Sequence, residues 1–145
     1  MANWKKDLQR GKDGETAILA LYPALKPSGT LAYDFVDSLG QRFESKTDYT
    51  TYPNIFLELV SNDAKDTPGG AVQSLFKGVD YYIYRFDKTN EIFCFKASNL
   101  VWFIMRHGHK YKLKIVPNKS YNTLGYAVPK ADLKHLCINL EDVIN

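Results

Sequence analysis

The most constraining feature of this chain is a run of short segments with the two-residue period of a β-strand. They lie at 31–36 (LAYDFV), 42–49 (RFESKTDY), 54–60 (NIFLELV), 80–86 (DYYIYRF) and 91–96 (EIFCFK), separated by turn residues. Successive strand side chains point to opposite faces, and several of these segments are apolar on both, which suits a sheet covered on both sides. Helical patterns interrupt the run. One covers Asp13 to Tyr22, with Asp13 suited to the cap and Pro23 and Pro27 to the stop. A short one falls near 71–77, after a mobile loop around Pro68, Gly69 and Gly70. Residues 97–108 (ASNLVWFIMRHG) fit either a buried helix or a strand. Strands near 111–116 and 124–128 and a helix near 130–137 complete the pattern. The expected architecture is α/β, with a mixed central sheet flanked by helices, and a helix, three-strand meander, helix, strand order at its centre.

Composition narrows the class. The 145 residues are 45% hydrophobic and 14% aromatic, enough for one core, so a single domain over 1–145 is expected. No apolar run approaches the roughly 18 residues of a membrane span, and the opening MANWKKDLQRGKDGE lacks a secretory h-region. The expected location is the cytoplasm. Cys94 and Cys137 are far apart with no CxxC spacing, so both read as buried thiols rather than as a disulfide or zinc site. The net charge of +3 is uneven: residues 1–100 carry 12 Lys/Arg against 13 Asp/Glu, and residues 101–145 carry 7 against 3. The excess concentrates in RHGHKYKLK at 106–114. Such a stripe is either a solvated strand face or a track for a polyanion.

The acids stand out against the strand pattern. Asp34 interrupts an apolar strand. In the next strand Arg42, Glu44, Lys46 and Asp48 share one face, and the turn at Asp37 to Gly40 makes the two strands an antiparallel hairpin that brings Glu44 close to Asp34. Glu58 is an acid on the face of Phe56 and Val60. Glu15 lies on the helix face of Ile18, Leu19 and Tyr22. Carboxylates gathered in a half-buried place repel one another and lose hydration unless a cation neutralises them. Oxygen-only ligation favours Mg2+ or Mn2+. A lysine beside such an ion can orient water and offset charge on a phosphate.

Glu15 in GKDGETAILALYPAL, Asp34 on the first strand, and Glu44-Ser45-Lys46 on the second together resemble the PD-(D/E)xK nuclease superfamily. The element order resembles its restriction-endonuclease-like αβββαβ core. The G-x-x-G-E helix is similar to that of the archaeal Holliday-junction resolvase branch, and NIFLELVSN, QSLFKGVDYYIY and LGYAVPKADL look like small phage members. No proline precedes Asp34, so the literal PD is absent. The resemblance implies a Mg2+-dependent deoxyribonuclease, an endonuclease of recombination, repair or phage DNA processing, located in the host cytoplasm if phage-encoded. It implies Asp34 and Glu44 as metal ligands, with the main-chain carbonyl of Ser45 as a further one. It makes Lys46 the residue that positions water or stabilises the transition state, Glu15 an auxiliary acid, and a homodimer a possible assembly. The alternatives are a catalytically silent nucleic-acid-binding or protein-interaction module on the same fold, and a nuclease acting on RNA.

Other residues keep two readings. Glu58 is either an auxiliary acid or the partner of Arg42 or Lys46 in an ion pair, and Glu15 also suits the N-terminal end of a helix dipole. Lys65, Lys77, Lys110, Lys112 and Lys114 are candidates for DNA phosphate contacts, which salt would weaken. His107 and His109 are either surface residues or phosphate donors. Tyr81, Tyr82, Tyr84 and Phe86 occupy both faces of one strand and read as core rather than as a stacking platform. The loop from Ser61 to Gly70 is placed to close over substrate, with Gln73 and Ser74 near its exit.

Overall fold

The computed structural model describes residues 4 to 145. Helix α1 (Trp4–Leu21) is followed by β1 (Lys26–Pro27), β2 (Phe35–Val36), β3 (Arg42–Asp48), β4 (Asn54–Asn62) and β5 (Thr67–Pro68). Then come α2 (Gly70–Phe76), β6 (Tyr81–Phe86), β7 (Ile92–Lys96), α3 (Ala97–His107), β8 (Leu113–Pro117), β9 (Asn122–Pro129), α4 (Lys130–Leu133) and α5 (Leu140–Val143). The molecule is α/β with a mixed sheet. Alternation and turn chemistry place β3, β6 and β7 within a residue or two of expectation, and residues 97–107 are helix.

Strands order as β1-β2-β3-β6-β7 in one sheet and β5-β4-β9-β8 in another. The first is mixed, because β3 runs antiparallel to β2 and parallel to β6. The expected three-strand meander therefore ends at β3: β4 pairs antiparallel with β9, about seventy positions away, from Asn54↔Pro129 to Val60↔Leu124. Five strands, β1 to β5, lie between α1 and α2 where three were expected; only β3 and β4 exceed two residues, and β4 belongs to the second sheet. The first sheet is covered on both faces, as its two-sided apolar strands require. One core joins Tyr82, Tyr84, Phe86, Phe93 and Phe95 to Ile55 and Leu57 of β4 and to Leu100, Phe103 and Ile104 of α3. The other joins Phe43, Ile83 and Cys94 to Ile18 of α1, Leu25, Phe35 and Leu140. The aromatic strand is thus core. Cys94 is buried, whereas Cys137 is half-buried, and both are free thiols.

Three local expectations change. Helix α1 starts nine residues before Asp13, which accepts a hydrogen bond from Gln9 Nε2 one turn earlier (2.9 Å) instead of capping. The longer helix includes Gly11 and Gly14, each at a cost of about 1 kcal/mol. Packing of the apolar face against β3 outweighs that cost. The strand expected at 31–36 shrinks to two residues: Ser28 and Thr30 side chains hold residues 28–33 in a local turn, and Leu31 is 100% exposed. The loop expected to be mobile around Pro68, Gly69 and Gly70 belongs to a stretch, Ser61 to Gly70, that is tied by hydrogen bonds. Asn62 Oδ1 caps a 3-10 turn at Asp63–Lys65, Asp63 accepts from Asn122 N at 2.7 Å, and Gly69 N donates to Leu59 O at 3.1 Å.

The hairpin turn between β2 and β3 is locked by Asp37, which is buried. Its carboxylate accepts from Leu39 N (3.1 Å), Gln41 N (2.9 Å), Gln41 Nε2 (2.6 Å) and Asn145 N (3.0 Å), while Ser38 N donates to Asn145 O at 2.9 Å. Burial alone would push this carboxyl up, but the hydrogen bonds from Gln41, Asn145 and Leu39 outweigh it and hold it below the usual range. Replacing Asp37 with alanine is expected to destabilise the fold by about 3 kcal/mol, because several donors lose one shared acceptor. A depressed folded pKa contributes stability above the unfolded value near 3.8 and loses it as pH falls through the folded value. Denaturant titrations of the two proteins should therefore differ at pH 7 and converge in strong acid; a constant difference across that range would refute the assignment.

Candidate metal and phosphate site

Four elements converge where β2 meets β3. Asp34 stands one residue before β2, tied into the hairpin by its N–H, which donates to Phe43 O at 3.0 Å. One oxygen of its carboxylate, Oδ2, accepts from Ser45 N (2.9 Å) and Ser45 Oγ (3.1 Å). The N–H and C=O of one strand residue point to the same neighbouring strand. The Ser45 carbonyl therefore also faces the Asp34 side, where β2 has not yet begun.

The Asp34 carboxylate touches acids from both faces of the sheet. From one face comes Glu44, within hydrogen-bonding reach of Asp34. Burial first, then the hydrogen bond to Asp34 and its charge, pushes Glu44 up to about 9 from an ordinary 4.5, while the Ser45 backbone and the Lys77 charge pull the other way. From the other face, Glu15 of α1 also reaches Asp34, and burial followed by the Asp34 charge pushes it up to about 7. Glu15 is thus half-titrated near neutral pH. Its position rests on Gly14, where a Cβ would stand 2.1 Å from Thr47 Oγ1 and 2.8 Å from Thr47 Cβ. Only glycine lets the helix approach β3 this closely.

Lys46 projects from β3 beside this cluster. Its ammonium lies 3.5 Å from Glu58 Oε2, with side chains 42% and 15% exposed. Glu58, expected as either auxiliary acid or ion-pair partner, is therefore paired with Lys46. Behind it, a Cβ at Gly69 would meet Glu58 Oε1 at 2.3 Å, so the small residues of the 61–70 stretch admit the acid. A cavity of about 180 Å³ is lined by Glu44, Ser45, Lys46, Glu58, Gly70, Gln73, Ser74 and Tyr82. Burial and then the charges of Glu58, Glu44 and Asp34 push the Tyr82 phenol up. This tyrosine, read from sequence only as core, also walls the site, in register with Glu44. On the α1 side a cavity of about 400 Å³ takes in Arg10, Glu15, Ser45, Lys46 and Tyr49, and one of about 500 Å³ takes in Lys12, Glu15, Leu31 and Asp34. The first two share Ser45 and Lys46 in their walls, and the last two share Gly11 and Glu15.

The expected phosphate-contact residues divide. Lys77 lies close enough to Glu44 to pull its carboxyl down. Lys114 on β8 is in register with Gly125, itself in register with Glu58, so both side chains lie on one sheet face. It lines a cavity with Asp48 and Tyr52. Lys65, His109, Lys110 and Lys112 are exposed. His107 is half-buried against Trp102 and Phe103, with Lys110 Nζ 3.2 Å from its Nδ1. Burial and the surrounding cations push its pKa down, which disfavours the charged form.

Among the described residues no group of three or more His, Cys, Asp or Glu side chains is arranged to hold a metal ion. The donors that converge are the Asp34 and Glu44 carboxylates and the Ser45 carbonyl, all hard oxygens suited to Mg2+ or Mn2+. No helix among the described residues is long and apolar enough to cross a membrane. No protein-family model matches the chain, and no curated protein sequence matches it.

Proposed function

We propose that the protein is a metal-dependent nuclease of the PD-(D/E)xK type, with a restriction-endonuclease-like core, that hydrolyses phosphodiester bonds in DNA. The observation that carries the reading is the approach of Glu44 and Glu15 to opposite sides of Asp34, with the Lys46 ammonium two residues along the same strand. Asp34, Glu44 and the Ser45 carbonyl would hold Mg2+, which supplies Lewis-acid polarisation of the phosphoryl oxygen. Lys46, oriented by Glu58, fixes the attacking water and balances charge that grows on the phosphate oxygens. The water oxygen forms the new bond to phosphorus, the bond to the leaving sugar oxygen breaks, and that oxygen takes up a proton. Glu15, pushed up to about 7, is suited to exchange a proton with solvent in the α1-side cavity that it lines.

One observation favours a second reading, a catalytically silent nucleic-acid-binding module. Glu44, pushed up to about 9, hydrogen-bonds Asp34, which satisfies the pair without an ion. Cleavage of single-stranded, duplex and branched DNA and of RNA, with Mg2+ or Mn2+, separates the two. Wild-type protein is expected to cut DNA only with the ion, and Glu44→Ala and Lys46→Ala each to lose at least roughly 100-fold in rate. No turnover by the wild type, or full turnover by both variants, would sink the nuclease assignment.

A further inference from the structure

The 400 Å³ cavity on the α1 side has a wall that the acids and Lys46 do not account for. Arg10 lines it together with Gly11, Glu15, Ser45, Lys46, Thr47 and Tyr49. One tyrosine fixes both ends of this arginine. The Tyr49 hydroxyl donates to the Arg10 carbonyl at 2.6 Å, and the Arg10 guanidinium lies 5.2 Å from the centre of the Tyr49 ring.

The placement follows from matched spacings. Helix α1 runs antiparallel to β3, with Gly14 against Thr47 and Arg10 against Tyr49. Four helical residues rise about 6 Å, and two strand residues about 6.7 Å. The two elements therefore stay in step from the acid cluster to the arginine. Arg10 stands five residues from Glu15, roughly 7.5 Å along the helix axis. That offset is on the scale of one step along an extended nucleotide chain.

A guanidinium stacked on an aromatic ring keeps its edge donors for a ligand, and its planar fork matches a phosphate better than an ammonium does. Its stacking also fixes the side chain in advance, so less rotamer freedom is lost on binding. Lys46 lines the same cavity and is already ion-paired with Glu58, so a second phosphate held beside Tyr49 needs another cation.

Resting on the nuclease reading above, we propose that Arg10, propped on Tyr49, binds the phosphate next to the one that is cleaved. The substrate is then an oligonucleotide strand laid along α1 from Arg10 to Lys46, and a compound with a single phosphodiester fills only half of the site.

The test is binding, measured by fluorescence anisotropy in the Glu44→Gln background to suppress turnover. Glu44→Gln/Arg10→Ala is expected to bind a labelled 12-residue DNA strand about tenfold more weakly. The slope of log affinity against log salt should become shallower by about 0.7, the value for one phosphate contact on a single strand. A dinucleoside monophosphate should bind both proteins alike, and Arg10→Lys, which keeps the charge without the fork, should fall between. Tyr49→Phe keeps the ring and should retain affinity; Tyr49→Ala should behave as Arg10→Ala. Arg10 is exposed, so the melting temperature should hardly move, whereas a purely structural Arg10–Tyr49 pair would move it and leave the salt slope unchanged. Equal affinity and slope in the two proteins, or binding by neither, overturns the proposal. Weakened binding in the Arg10 variant beside a wild type that cuts nothing would keep this subsite and remove the nuclease reading. Cutting by the wild type with unchanged affinity in the Arg10 variant would do the reverse.

Discussion

Exchanging Glu44 for glutamine is expected to stabilise the protein above neutral pH while lowering metal-dependent turnover roughly a thousandfold. Both effects have one origin. Burial and the neighbouring Asp34 push Glu44 up to about 9 from 4.5, so the folded state binds a proton that the unfolded chain releases. With a raised folded pKa, the stabilising proton is fully present below 4.5, and its contribution is lost as pH rises through about 9. Glutamine keeps the neutral shape and has nothing to titrate. Denaturant titrations at pH 5 and pH 8.5 should show the variant gaining on its parent by about 2 kcal/mol, a figure reduced from the full shift because the side chain is partly solvated. Mg2+ should raise the melting temperature of the parent, by about 2.7 kcal/mol of stability at a hundred times its dissociation constant, and leave the variant unmoved. A stability difference that does not change with pH would mean that Glu44 is an ordinary surface carboxylate.

Replacing Gly14 with alanine is expected to disable the site from a residue that touches no substrate. Alanine would add about 1 kcal/mol of helix propensity. Its Cβ would stand 2.1 Å from Thr47 Oγ1 and 2.8 Å from Thr47 Cβ. The second of these is fixed to the strand backbone and cannot rotate away. Overpacking of this kind costs 1–3 kcal/mol, and the cheapest relief is for α1 to lift off β3, carrying Glu15 away from Asp34. A displacement of about 1 Å at a reacting centre can cost 100-fold in rate. Turnover in Gly14→Ala should fall by that order with a modest loss in melting temperature, and Thr47→Gly in the same chain should recover part of it. Wild-type turnover in Gly14→Ala would show that the helix contact does not set the position of Glu15.

The local elements were legible because local chemistry decides them. The strands from Arg42, Tyr81 and Ile92 alternate cleanly and end at turn residues, and the Asp34–Glu44 approach follows from one hairpin. Pairing over long distances was not legible. Both faces of β4 are apolar, so its pattern is satisfied equally beside β3 or beside β9, and the choice is made by partners about seventy positions away. Leu31 misled for the opposite reason: its apolar side chain continues the strand period, but the serine and threonine side chains around it hold the backbone in a turn. Arg10 was hidden because Asp13 suits a helix cap, which starts the helix three residues too late to include it. Had the helix been extended back to Trp4, Arg10 would have fallen on the Gly14 face, beside the acids.

The latch between Asp37 and Asn145 has a consequence for when the site exists. The turn joining the two acid-bearing segments is held by a residue 108 positions further on, and closing so long a loop delays folding until distant contacts can compensate its entropy. A ribosome would release Asp34, Glu44 and Lys46 well before the segment that fixes the turn between them. A nascent chain would then expose the two acids and the lysine before the turn that sets their spacing is fixed.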